Sequence, residues 1–453
     1  MNNKFLNKIN LFLLFSILLL AGAAQQTLAA TLTVTKVADT NDAVCNADCS
    51  LREAVAVAQS GDEITFQPAL AGGTITLALD SITISNKSIT ITGIDNLKIS
   101  GANKYRIFTL HNQAHATMKN LDLGYGYMDS RLQPYVGVGG AIAVYWSSLS
   151  LDDCYIHNNK AFTEGAGIWG VGSFISIKNS LIAANSAPAR GAGLSAIDSR
   201  RLSISNTKFN LNSSTGNGGA IFLEGGNFEM TNSSIYKSSA KKGGAIYLEQ
   251  SSDANYTIRN SAIFSNSAEN SGGIYNAGKL NLINSTLSGN KATAGNGGGL
   301  SNNNQVLMRN VTAAFNTATG DAGGIESSGS GEVNFGNTII AGNTSGTPFF
   351  PNLKGATFTS AGYNVIGAPK ISTVIWGDQT GNQENVADPM LNPLAYNGGT
   401  TLNHLPKPGS PVIDAGSVLL ATDEFGSSLP FDQRGLNRVF GVSVDVGAVE
   451  AVY

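Results

Sequence analysis

Aromatic and acidic side chains recur at fixed distances through the middle of this chain. Trp169, Phe222, Tyr247 and Tyr275 each directly follow the apolar residue that closes a small-residue signature, and Ser195 takes the equivalent place between Trp169 and Phe222. Two positions beyond Phe222 and Tyr247 stand Glu224 and Glu249. If the closing Ile or Leu points inward, its successor and the residue two further on point outward, because side chains alternate along a strand. A row of aromatic faces beside carboxylates suits sugar rings or a Ca²⁺-assisted surface. The plainer reading is that stacked rings and solvated carboxylates cover a sheet face. Asp198, Arg190, Arg200 and Arg201 lie one repeat before Glu224. Asp198, Glu224 and Glu249 could therefore gather a cation beside a basic side chain, which is what proton abstraction from an acidic polysaccharide requires.

Other chemistry is thinly supported. Asp152-Asp153 is the carboxylate pair that glycoside hydrolysis would need, with His157 close behind, but no Gly-His-Gly corner accompanies it. Asp153 also falls six residues before Asn159, where other repeats carry Asn at a corner. His111, His115, His157 and His404 are too scattered for ordinary metal-ligand spacing. Asp39, Asp42 and Asp48 lack the spacing of a calcium loop and read as an acidic loop. The Asn-x-Ser/Thr matches at Asn232, Asn284 and Asn310 coincide with a repeat position, so the repeat itself explains them. The sequence implies no cofactor beyond possible surface Ca²⁺.

What must position these residues is a repeat. The signatures are Gly139-Gly140-Ala141-Ile142, Gly165-Ala166-Gly167-Ile168, Gly191-Ala192-Gly193-Leu194, Gly218-Gly219-Ala220-Ile221, Gly243-Gly244-Ala245-Ile246, Gly272-Gly273-Ile274, Gly297-Gly298-Gly299-Leu300 and Ala322-Gly323-Gly324-Ile325. Between the closing Ile or Leu the steps are 26, 26, 27, 25, 28, 26 and 25 residues. So regular a period means one structural unit stacked on itself. Upstream of a recurring Asn the apolar residues alternate, as in Ile175 and Ile177 before Asn179 or Leu280 and Leu282 before Asn284. Period-two alternation marks a half-buried strand. A second polar slot, six residues after the first Asn, holds Asn185, Asn212, Asn266, Asn290, Asn316 and Asn343. Each unit reads as strand, Asn turn, strand, Asn turn, Gly-rich turn and strand, with no helical period. Short strands joined by tight corners at a fixed period give a parallel β-helix. Asn tolerates left-handed backbone at the corners, and stacked amides would bond along the rod as a ladder. Eight such coils would span about 40 Å at ~4.8 Å per coil.

Charged residues make up 13% of the chain and the net charge is −3, with no basic run, which argues against nucleic acid. Residues 1–30 read as a cleavable export signal: Lys4 and Lys8 precede an apolar run from Leu11 to Leu20, and Leu28-Ala29-Ala30 offers a cleavage site. No lipoprotein Cys, membrane anchor or sorting tail is expected in the mature chain. Cys45 and Cys49 are close enough to pair around a short loop, leaving Cys154 as a small buried side chain. Ser50 with Glu53 forms a capping box, and Leu51, Ala54, Val55 and Ala58 give residues 50–59 an apolar face. A disulfide-tied amphipathic helix there would close the open end of the rod, a stabilising role for Arg52 and Glu53 in preference to a catalytic one.

These residues carry a resemblance. Cys49-Ser50-Leu51-Arg52-Glu53-Ala54-Val55, preceded by Val37 to Asp42 and followed by Gly61 to Phe66, resembles the CSLREA-type N-terminal domain of bacterial surface proteins. Asp388-Pro389-Met390-Leu391 through Asn397-Gly398-Gly399-Thr400-Thr401-Leu402, then Pro408 to Gly416, Asp432-Gln433-Arg434-Gly435 and Asp445 to Glu450, resembles the choice-of-anchor Q region. The Gly-Gly-Ala-Ile corners are similar to the repeats of polymorphic outer membrane proteins. The resemblance implies a right-handed β-helix on, or released from, a bacterial cell surface, with no established reaction. It also implies a separate anchoring segment, and none is legible before Tyr453.

The expected fold is thus all-β: a right-handed, pectate-lyase-like parallel β-helix with a short N-terminal capping helix. Residues 31–70 form the cap, 71–345 the repeats, and 346–453 the C-terminal end of the β-helix with the Pro/Gly-rich, choice-of-anchor Q-like region. The expected function is adhesin-like binding of glycans or partner proteins at Trp169, Phe222, Glu224, Tyr247, Glu249 and Tyr275. The alternative is a polysaccharide lyase or glycoside hydrolase using Asp198, Glu224, Glu249 and Arg200 or Arg201. The sequence favours binding over catalysis.

Overall fold

The computed structural model describes residues 29–129, 137–251, 254–355, 357–369 and 373–453; the export-signal reading falls almost wholly outside them. The chain is a parallel β-helix with four strands to a coil. One coil shows the plan: Ile168–Val171, Phe174–Lys178, Leu181–Ala183 and Ser186–Ala187. Equivalent strands stack in parallel register, so that Ile168 lies beside Leu194 and Ile175 beside Leu202. Among the described residues the four stacks contain 11, 14, 13 and 9 strands, called here the first to fourth sheets in the order of that coil. The eight signatures therefore undercount the rod. Its earlier coils are built on Ile82, Ile84, Ile89, Ile91, Phe108 and Leu110, buried without a Gly-rich corner to announce them. The two-residue strands of the fourth sheet were not anticipated either, since two residues cannot show alternation.

The two Asn positions do different work. The first, at Asn179, Asn206, Asn232, Asn260, Asn284, Asn310 and Asn337, has φ between 44° and 53°, the left-handed backbone that Asn tolerates. The second is a ladder inside the coil. Asn185 Nδ2 donates to Asn212 Oδ1 at 3.0 Å and to the Ile156 carbonyl at 3.1 Å. Asn266, Asn290, Asn316 and Asn343 repeat the pattern, with amide-to-amide distances of 2.9–3.0 Å. At this corner the left-handed residue is the one before the ladder: Asn158, Ala184, Leu211, Lys237, Ser265, Phe315. Leu211, 53% exposed with φ 55°, carries that strain with little burial in return. Leu211→Asn is expected to stabilise the protein by up to about 1 kcal/mol in a urea titration; a lower midpoint would show that Leu211 contributes packing instead.

Both ends are closed by packing. The helix Leu51–Val57 has the expected capping box at Ser50 and Glu53, and Leu51, Ala54 and Val55 join the core of the coils. Cys45 and Cys49 are disulfide-bonded; Cys154 is buried, and burial pushes its thiol up to about 11. Arg52 makes a two-point ion pair with Asp39 and donates to the Asp80 and Ser81 carbonyls, tying the cap to the first coils. After the strands Ile375–Asp378 and Gln383–Val386, residues 388–453 double back along the flank of the third sheet. There Thr286 Oγ1 donates to Gln433 Oε1 at 2.6 Å, Ser288 Oγ meets His404 Nε2 at 2.8 Å, and Asn284 Nδ2 donates to the Phe431 carbonyl at 2.8 Å. A second apolar cluster of Ile339, Val365, Leu391, Val412 and Val446 seals this strap. Asn284 and Asn310 lie buried beneath it, so neither is open to glycosylation.

Candidate functional site

The predicted aromatic column exists in register. Trp169, Ser195, Phe222, Tyr247 and Tyr275 are successive partners on the outer face of the first sheet. Phe222 and Tyr247 stack at 5.5 Å, Tyr247 and Tyr275 at 4.6 Å. The expectation of an open aromatic face is nevertheless overturned: Trp169 is 6%, Phe222 0% and Tyr247 7% exposed, and Tyr275 is half-buried. The cause is the chain leaving the fourth sheet, which returns alongside and lays its side chains over the rings. Arg190 lies 4.7 Å above Phe222 and Lys242 lies 5.3 Å above Tyr275. Burial, with the Glu249 charge adding to it, raises the Tyr247 hydroxyl well above the ordinary tyrosine range. These rings are a second, external core.

Glu164, which the sequence reading passed over, organises the roof. Its carboxylate accepts from Trp169 Nε1 at 3.2 Å and Ser195 Oγ at 3.1 Å, and pairs with Arg190 Nε at 3.4 Å. Arg190 Nη1 reaches Glu224 Oε2 at 3.1 Å. Glu164, Arg190, Asn217 and Lys242 pair in series by isolated parallel bridges. Each stands one residue before a corner Gly, a column the signature already marked. Glu224 is thus engaged in an ion pair, and Glu249 is half-buried beside Tyr247, with its backbone N–H donating to the Leu223 carbonyl.

The proposed lyase constellation is assembled only in part. Asp198 lies against Gly225, next to Glu224, and both act with Glu249 on the Tyr256 hydroxyl, but Arg200 faces Phe174 and Arg201 faces Glu229 on the second sheet. Among the described residues no three His, Cys, Asp or Glu side chains lie close enough to share a metal ion. One acid–base pair does form elsewhere: His157 Nε2 lies 2.6 Å from Asp122 Oδ1. The Asn158 amide meets His157 Nδ1 at 2.8 Å, Tyr155 stacks on the ring, and Gly124 lies directly beneath it. Both ring nitrogens are occupied, so this histidine braces the third sheet and is not positioned to take a proton from a ligand.

A different feature on the first sheet escaped the sequence reading. Below the aromatic column, Asp80, Arg106, His111, Met128 and Trp146 line a cleft of about 600 Å³, within the range of ligand sites. Trp146 is 52% exposed at its rim.

No family model matches this sequence, and no curated protein matches it. Among solved structures the chain is similar to a pectate lyase at 14% identity, covering 94% of this chain and 97% of that one, with a TM-score of 0.49. It is also similar to a PL6 family alginate lyase at 15% identity, covering 83% and 56% with a TM-score of 0.46, and to a bacteriophage tailspike protein at 13%, covering 74% and 58% with a TM-score of 0.43. The matches span a little over half the length of the latter two chains.

Proposed function

We propose that this protein is an exported rod, displayed on or released from a bacterial cell surface, that binds polysaccharide along its flank without cleaving it. The observation that carries the reading is the exposed aromatic pair Trp146 and Phe174, on successive coils at the turn from the first sheet to the second, held on a frame whose backbone and ladder hydrogen bonds leave it little freedom. A stiff rod holds such groups in fixed positions, so weak contacts add with little ordering entropy. The side chains that a lyase would use support the non-catalytic half of the reading, because Glu224 is held by Arg190 while Arg200 and Arg201 face the second sheet. The CSLREA-like and choice-of-anchor-like motifs support surface placement, and no helix among the described residues is long and apolar enough to cross a membrane.

The test is retention against release. Protein spanning residues 31–453 is incubated with a panel of soluble polysaccharides, with and without Ca²⁺, and both binding and newly formed reducing or unsaturated ends are read. Retention with no new ends is expected. End formation abolished by Glu224→Ala or Glu249→Ala would make the protein an enzyme and overturn the proposal. Absence of retention on every polysaccharide would turn attention to protein partners.

A further inference from the structure

The corner that leads from the first sheet to the second requires positive φ in six consecutive coils. Its occupants are Asn86 at 51°, Asn112 at 54°, Trp146 at 44°, Gly172 at 58°, Asp198 at 46° and Gly225 at 73°. Five of the six are residues that enter left-handed backbone readily, through a missing Cβ or a short polar side chain. Trp does not, and a bulky residue there is an outlier that calls for a reason. Half of the Trp146 surface is nonetheless exposed.

The neighbours are arranged around that indole. Gly172, one coil on, lies against it so closely that a Cβ would fall 2.4 Å from Trp146 Cδ1. On the other side the corner opens into the cleft of about 600 Å³. Its floor is Arg106, buried and fixed by bonds to the Gly139 and Val138 carbonyls at 2.9 and 2.8 Å and to Thr109 Oγ1 at 3.1 Å. Its walls carry Ser81 bonded to Thr109 at 2.7 Å, and His111 and Asn112, which are both bonded to Ser85, at 3.3 and 3.0 Å. A flat apolar ring thus stands at the edge of a hollow lined with hydroxyl, imidazole and amide groups. The Arg106 guanidinium is matched in the lining by the Asp80 carboxylate, so the hollow has no surplus of one charge.

We infer that this cleft is a subsite for an uncharged pyranose chain, with one sugar ring stacked on Trp146 and its hydroxyls turned toward His111, Asn112 and the Ser81–Thr109 pair. Left-handed strain stored at an exposed aromatic is the kind that persists where it positions a ligand contact, and an indole face with adjacent polar groups fits the apolar face and hydroxyl rim of a hexopyranose. The inference rests on the polysaccharide-binding reading above and names its site and ligand class.

The same backbone argument yields the test. Because the corner accepts Gly in the next coil, Trp146→Gly is expected to fold with a melting temperature close to wild type, so lost binding cannot be assigned to unfolding. Calorimetric titration uses the 31–453 protein with hexasaccharides of glucose and mannose on one side and of galacturonate on the other. Wild type is expected to bind a neutral hexasaccharide, Trp146→Gly to bind it at least tenfold more weakly, and Trp146→Phe to fall between. Trp376→Ala, at an exposed indole remote from the cleft, should bind as wild type. Equal binding by wild type and Trp146→Gly would overturn this subsite while leaving polysaccharide binding by the rod intact. A response confined to the uronate would overturn the uncharged ligand. No response from wild type to any probe would overturn the subsite and count against the polysaccharide reading itself.

Discussion

Asn290→Ala is expected to lower the unfolding free energy by roughly 3 kcal/mol or more, a large share of what a folded protein has in hand. Asn290 Oδ1 accepts from the backbone N–H and the amide of Asn266, at 3.1 and 3.0 Å. Its own amide donates to the Ile263 carbonyl and to Asn316 Oδ1, both at 2.9 Å. Alanine leaves the Asn266 N–H and the Ile263 carbonyl inside the coil without these partners, and each buried orphan costs about 1–3 kcal/mol. A natural comparison sits two coils away, where Ser238 interrupts the ladder. Asn212 N–H reaches only the Ser238 hydroxyl there, at 3.3 Å. Ser238→Asn is accordingly expected to stabilise by about 1 kcal/mol. Urea midpoints of both variants against exposed Asn227→Ala decide the matter: an Asn290→Ala loss no larger than that of Asn227→Ala would remove the ladder from the account of stability.

The ladder also shows what the sequence could and could not disclose. Its slots were legible because burial of a polar side chain at a constant step is a pattern along one dimension. The coil register, the capping box and the Cys45–Cys49 pair were legible for the same reason. What alternation cannot disclose is which outward face stays outward. Trp169, Phe222 and Tyr247 do leave the coil interior as their positions require, yet the returning chain with Arg190 and Lys242 covers them. That covering depends on how far the fourth side wraps, a three-dimensional quantity with no period of its own. Trp146 was missed for a complementary reason. It belongs to no hydrophobic pattern, and only its company of Asn, Gly and Asp at equivalent corners marks it. The strap was missed because its partners, such as Thr286 with Gln433, are separated by 147 residues of chain.

The strap and the N-terminal cap should respond to pH in opposite senses. In the strap, Glu450 is buried and both its oxygens accept from the Asp445 N–H at 3.1 Å. Burial, reinforced by the Asp445 charge and only partly offset by Arg438, pushes its carboxyl up to about 8, and burial raises Asp445 as well. A carboxyl raised in the folded state holds its proton where the unfolded chain has released it. Between about pH 4.5 and 8 the native strap therefore binds more protons than the unfolded chain, and stability falls as pH rises through that window. In the cap the sign reverses. Burial alone would raise Glu53, but hydrogen bonds from the Ser50 and Asp42 backbone and the Thr40 hydroxyl hold it down at about 2, so its contribution is present above about pH 4.5 and lost toward pH 2. Melting temperature recorded from pH 6.5 to 8.5, above the range where buried His404 titrates with the opposite sign, is expected to fall for wild type and to fall markedly less for Glu450→Gln, whose neutral amide resembles the protonated acid. A Glu450→Gln profile as steep as wild type would place the alkaline loss elsewhere. The expected profile would mark Glu450 as the group through which alkaline solution weakens the strap's hold on the rod, while acid acts first on the opposite end.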